Sequence, residues 1–132
     1  MHSVSFENLH TAKVYIFSFV KGIEEVDDMT EIVRCQVISG MFDADVVDWE
    51  KNAFKTHLGS FEKIRLECPE KLHINTWLTA LCIKVLETKM MDKQDLWELV
   101  ANKGYKYLLQ QFCSNEPELQ ELMQNADAYL SK

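Results

Sequence analysis

His57, Cys68 and His73 fall within 17 residues, and these are the residue types that bind zinc or build a thiol nucleophile. A structural zinc site takes four ligands, usually in two closely spaced pairs, and no such pair is present. Cys68 could attack a substrate only beside a histidine held in place by a third group, and the sequence offers no third group. Cys82 sits in the apolar stretch from Trp77 to Leu86, where burial raises a thiol's pKa and makes it inert. Carboxylates are plentiful, but none lies in an apolar context that would tune it for acid catalysis. Gly22, Gly40, Gly59 and Gly104 are isolated, so no GxGxxG or GxxxxGK[ST] phosphate loop exists. These residues point to no catalytic site, no metal and no cofactor. The tryptophans carry more information. Trp77 and Trp97 stand in apolar stripes and read as core, whereas Trp49, between Asp48 and Glu50, reads as a half-exposed contact residue.

The chain that must position these groups has 132 residues, 47% apolar and 27% charged, the composition of a single globular domain. Twenty-one acidic residues against fourteen basic ones give a net charge of -7. With the basic residues scattered singly, that balance repels a phosphate backbone, so nucleic acid is not an expected partner. The longest apolar run near the N-terminus, Val14 to Val20, has seven residues, against about 20 for a membrane span. No signal-peptide pattern accompanies it. Cys35, Cys68, Cys82 and Cys113 are too widely spaced for a small disulfide framework and read as reduced thiols, with Cys35 and Cys82 in the core. A cytoplasmic setting follows as the expectation.

Hydrophobic periodicity predicts an all-α single domain of about five helices over residues 28–132. An N-terminal segment and acidic connector, residues 1–27, precede it. Residues 14–20 are β-branched and aromatic and favour a short strand, although so short a run also suits a buried helix. A first helix is expected from Asp28 or Thr30 to Ser39, closed by Gly40. A second runs from Val46 to Leu58, capped by Asp45 and stopped by Gly59. An irregular link carrying Phe61 and Ile64 follows. The segment Asn75 to Met91 is apolar nearly all round, which marks a central helix. Asp92 can cap the next, holding Leu96, Trp97, Val100, Gly104, Tyr105, Leu108 and Phe112. Asn115 or Ser114 with Pro117 opens the last, with Leu119, Leu122, Met123, Ala126 and Leu130 as its stripe.

Four elements then stand in order: Gln36-x-x-Ser39-Gly40-Met41-Phe42, Leu58-Gly59, Trp77-x-Thr79-Ala80-Leu81, and Leu96-Trp97-Glu98-Leu99-Val100-x-x-Lys103-x-x-x-Tyr107-Leu108. Their order and spacing, over roughly residues 30–110, resemble the C-terminal helical region of proteins that pair a vault/inter-alpha-trypsin (VIT) domain with a von Willebrand factor A domain. The vault poly(ADP-ribose) polymerase belongs to that family. Two departures stand out: Ser39 replaces an acidic or amide residue, and Phe42 stands where Trp is common. No metal-adhesion motif, ADP-ribosyltransferase set or thioester sequence is present, so the resemblance carries over no reaction. What it implies is docking, to the major vault protein or to another large assembly.

The motif residues Gln36, Gly40, Phe42, Trp77, Thr79, Trp97 and Lys103 also have folding roles. Gln36 can satisfy backbone groups of its turn, Thr79 can bond a carbonyl one turn back, and the Lys103 stem can lie over apolar neighbours. The expected function is a non-catalytic protein-interaction module. Its anchors would be the exposed members of Phe17, Phe19, Trp49, Phe54, Phe61 and Tyr105, within an acidic rim suited to a basic partner. A small cysteine–histidine enzyme and a purely structural domain of a larger chain are the alternatives. The oligomeric state is not legible in the sequence.

Overall fold

A computed structural model describes residues 26–132 of the chain. The expected strand at residues 14–20, and with it Phe17 and Phe19, lies outside the described residues. Within them the chain is all-helical, as the periodicity predicts. Six α-helices, three of them only six or seven residues long, and one 3-10 turn form a single domain. They are α1 (Asp28–Val33), α2 (Asn52–His57), α3 (Phe61–Glu67), α4 (Ile74–Lys89), the 3-10 turn Met91–Lys93, α5 (Gln94–Gln111) and α6 (Glu116–Leu130).

The fold is built around α4. Leu78, Leu81, Ile83, Val85 and Leu86 are all fully buried, because α5 and α6 both pack against this helix. On α5, Trp97, Ala101, Gly104 and Leu108 recur at helical spacing and face inward. Gly104 lets the two helices close up, since a Cβ there would come within 2.8 Å of Ile83 Cδ1. On α6, Leu119, Leu122, Met123, Ala126 and Tyr129 form the buried stripe, and Asn115 caps the helix by accepting from the Glu118 N–H. Tyr129 reaches back across the core to donate its hydroxyl to the Leu58 carbonyl at 2.7 Å.

The shorter elements depart from expectation, each for a local reason. Helix α1 ends at Val33 rather than Ser39, and Asp27, not Thr30, caps it by accepting from the Thr30 N–H. Residues 36–42 instead form a tight turn closed by a single antiparallel bridge between Gln36 and Phe42. A continuous helix would carry Phe42 away from the core, where it is fully buried. Helix α2 starts at Asn52 rather than Val46, and Asp45 caps nothing. The Asp43 and Asp48 carboxylates accept from the Asp45 and Glu50 N–H groups, local turns that compete with helix. The expected irregular link is helix α3, with Ser60 Oγ accepting from the Lys63 N–H as its cap. Asp92 lies inside the 3-10 turn and does not cap α5. No strand occurs among the described residues, and no helix there is long and apolar enough to cross a membrane.

Candidate functional site

Gln36, Gly40, Phe42, Thr79 and the Lys103 backbone meet where the 36–42 turn is pressed between α4 and α5, whereas Trp77 and Trp97 find their partners elsewhere in the core. Gly40 has φ +99°, and a Cβ there would run into the Lys103 carbonyl oxygen, so the turn lies directly on the α5 backbone. Gln36 Nε2 donates to the Gly40 carbonyl at 3.1 Å and to the Val100 carbonyl at 2.8 Å, tying the turn's two ends to α5. On the other side, Thr79 Oγ1 donates to the Asn75 carbonyl one turn back at 2.7 Å and accepts the Phe42 N–H at 2.8 Å. Asn75 Oδ1 accepts the Ala44 N–H at 2.8 Å. Trp77 and Trp97 donate their indole N–H groups to the Ile64 and Met90 carbonyls. The polar atoms of these residues are therefore spent on backbone groups of the core. Lys103 differs: its backbone supports the turn while its side chain is exposed.

Cys35 and Cys82 are buried and Cys68 is half-buried, whereas Cys113 is exposed. Burial, reinforced by Glu31, Asp43 and Asp48, pushes the Cys35 thiol up to about 12, and burial raises Cys82 as well. Burial also raises half-buried Cys68, whose Sγ faces the Pro69 and Leu72 carbonyls. His73 Nδ1 accepts the Asn75 N–H as the cap of α4, and His57 Nε2 lies 3.0 Å from Asp28 Oδ2. The His57, Cys68 and His73 side chains are thus each engaged separately. Among the described residues no three His, Cys, Asp or Glu side chains are grouped to hold a metal.

The aromatic anchors divide. Trp49, Phe54 and Phe61 come together, with the Trp49 ring 5.9 Å from Phe54 and 5.4 Å from Phe61. Phe54 is fully buried and so drops out as a partner contact; it is core, holding α2 down. Trp49 and Phe61 remain half-exposed, and the Trp49 indole donates to the Ala44 carbonyl at 3.2 Å. Tyr105 stands apart, in a crevice of about 230 Å³ between α4 and α5, donating to Glu87 Oε2 at 2.8 Å. Burial and then the Glu87 carboxylate push its hydroxyl far above the usual tyrosine range.

A larger groove of about 750 Å³ runs between α1, α2 and the 3-10 turn. Ion pairs span it, Asp27 with Lys93 at 3.0 Å and Glu31 with Lys51 at 3.9 Å, and His57 Nε2 lies 3.0 Å from Asp28 Oδ2. Burial raises the Asp27 pKa, but the Thr30 and Lys93 hydrogen bonds outweigh it and leave the carboxyl below its usual range.

The outer face of α5 is what the sequence reading missed. Leu96 and Leu99 are 64% and 82% exposed, and Ile38, at the tip of the turn seated on α5, is 90% exposed. Leu96 was expected inside. The signal was available: with Trp97, Ala101, Gly104 and Leu108 pointing inward, about 100° per residue places Leu96, Leu99 and Lys103 on the far side. No family model, no curated protein and no solved structure matches this chain.

Proposed function

We propose that the chain is a non-catalytic module whose task is to dock onto protein. The observation that carries this reading is the division of α5. Its inner face is locked to α4, while its outer face holds Leu96 and Leu99 in solvent. Exposed leucines one helical turn apart are the anchor pattern by which helices engage a partner. The residues that could have supplied chemistry support the same reading. Three of the four thiols are held in the neutral form by burial, and among the described residues His73 is committed to a helix cap and His57 to a contact with Asp28. Four cysteines without a disulfide fit a reducing, cytoplasmic setting.

The finer proposal is that the docking partner is a large assembly, the major vault protein being the candidate that the sequence resemblance implies. Purified major vault protein and the immobilised chain test it. Saturable binding of the chain, weakened at least tenfold by Leu96→Asp with Leu99→Asp, is the expected result. Binding that ignores both substitutions would remove the α5 face, and no binding at tens of micromolar would remove the vault partner.

A further inference from the structure

The crevice beside Tyr105 carries charge of one sign only. Its walls are apolar below, where Trp97 and Ala101 are buried, and Met91 stands 68% exposed beside them. The Trp97 indole N–H is committed to the Met90 carbonyl and the Tyr105 hydroxyl to Glu87, so the two aromatic residues bring it no free donor. No lysine, arginine or histidine is among the described residues that line it, and its charged groups are the Glu87 and Glu98 carboxylates. Glu87 is already engaged, accepting from Tyr105 at 2.8 Å and lying 3.7 Å from Lys84. The Glu98 carboxylate is exposed and forms no ion pair with any described residue. Nor can α5 supply one, since Gln94, Asp95, Ala101 and Asn102 stand three and four residues away and none is basic. At about 100° per residue, Gln94, Glu98, Asn102 and Tyr105 form a strip roughly 80° wide that adjoins Leu99.

We infer that this crevice takes an arginine side chain of the protein docked on α5. A guanidinium is a weakly hydrated, planar cation whose stem and plane lie well against aromatic walls while its N–H groups donate to carboxylates. A lysine ammonium, compact and strongly hydrated, gains less from such walls. A carboxylate or phosphate of the partner would meet two like charges and no cation. An uncharged apolar side chain would take Glu98 out of water without giving it a counter-charge. The net charge of -7 draws a basic partner toward the chain in the same sense. The inference rests on the docking reading and names the partner's chemistry: an arginine placed beside the apolar contact to Leu99.

Titration of the isotope-labelled whole chain with Nα-acetyl-arginine amide, followed by nuclear magnetic resonance, tests the crevice apart from the rest of the interface. Saturable shifts of the Glu98, Ala101, Asn102 and Tyr105 amides are expected, with a Kd on the order of 1 mM for so small a ligand. Glu98→Gln should weaken binding about fivefold or more. Glu121→Gln, the same loss of charge at an exposed position of α6, should leave it unchanged. The citrulline analogue, of the same shape without the charge, should not shift these signals. No saturation by about 50 mM, shifts spread over the surface acids at large, or binding indifferent to Glu98→Gln overturns the assignment. If the arginine probe fails while major vault protein binding still depends on Leu96 and Leu99, docking stands and the arginine site falls. If the probe binds as described but that protein does not, the vault partner falls and the arginine site stands.

Discussion

The two faces of α5 both carry leucine, with opposite fates: Leu108 is fully buried, and Leu96 and Leu99 are exposed. Inward, Trp97, Ala101, Gly104 and Leu108 are buried against α4, and a Cβ at Gly104 would crowd the Ile83 side chain. Outward, Leu96 and Leu99 stand in solvent. The inner face is held by what it excludes from water, and each side chain there has many neighbours to lose. The outer face contributes almost nothing to folding. The comparison teaches that a leucine's type on a helix does not say whether it serves stability or recognition. Its angular relation to the buried stripe does.

The largest effect that would sharpen this contrast is expected inside. Leu81→Ala on α4 removes a fully buried side chain and should lower unfolding free energy by about 2–5 kcal/mol. Leu99→Ala should change it by less than about 0.5 kcal/mol. Urea denaturation of both variants measures the difference, and equal losses would break the comparison. A second test addresses the turn that joins the faces. Gly40→Ala forces a left-handed residue and a collision with the Lys103 carbonyl, so a loss of about 2 kcal/mol or more is expected. Gly59→Ala also has to adopt a left-handed φ, but its Cβ would meet only side-chain atoms at 3.4 Å, and the smaller loss of about 1 kcal/mol is expected there.

The smallest expected effect depends on pH. Asp27 has its folded pKa below the ordinary 3.8, so its contribution is present above that value and is lost as pH falls through the folded pKa. With the carboxylate about half exposed, solvent screening keeps the contribution to about 0.5 kcal/mol. Asp27→Asn keeps a capping oxygen and discards the charge. Its stability deficit relative to the wild type should be seen near neutral pH and shrink as pH falls below the ordinary carboxylate value of 3.8. A deficit that does not change with pH would assign the role of Asp27 to capping alone.

How much was legible follows the length and periodicity of each element. Helices α4, α5 and α6 could be read because fifteen or more residues repeat a burial pattern. Their caps were less certain: Asn115 was readable, whereas His73 capping α4 through Nδ1 was not. Helices α1 and α2 are shorter than the periodicity predicts and α3 stands where it predicts an irregular link, because six or seven residues hold too few turns to show a period; before α2 the Asp43 and Asp48 side-chain turns also compete with helix. The folding roles of Gln36 and Thr79 were legible as chemistry, an amide and a hydroxyl able to bond backbone. Their long-range partners, the Val100 carbonyl and the Phe42 N–H, were not. Among the aromatics, Phe54 could not be separated from Trp49 and Phe61 by type, and only packing assigned it to the core.

The amino-acid order by itself determined the helical class, the central place of α4 and the burial of Cys35 and Cys82, since each follows from how apolar residues recur along the chain. Tertiary structure alone decided where α1 stops, that the 36–42 turn seats on α5, and that Leu96 and Leu99 face water. Those outcomes depend on which backbone groups and side chains meet across 30 to 70 residues of chain, and local periodicity contains no record of such meetings.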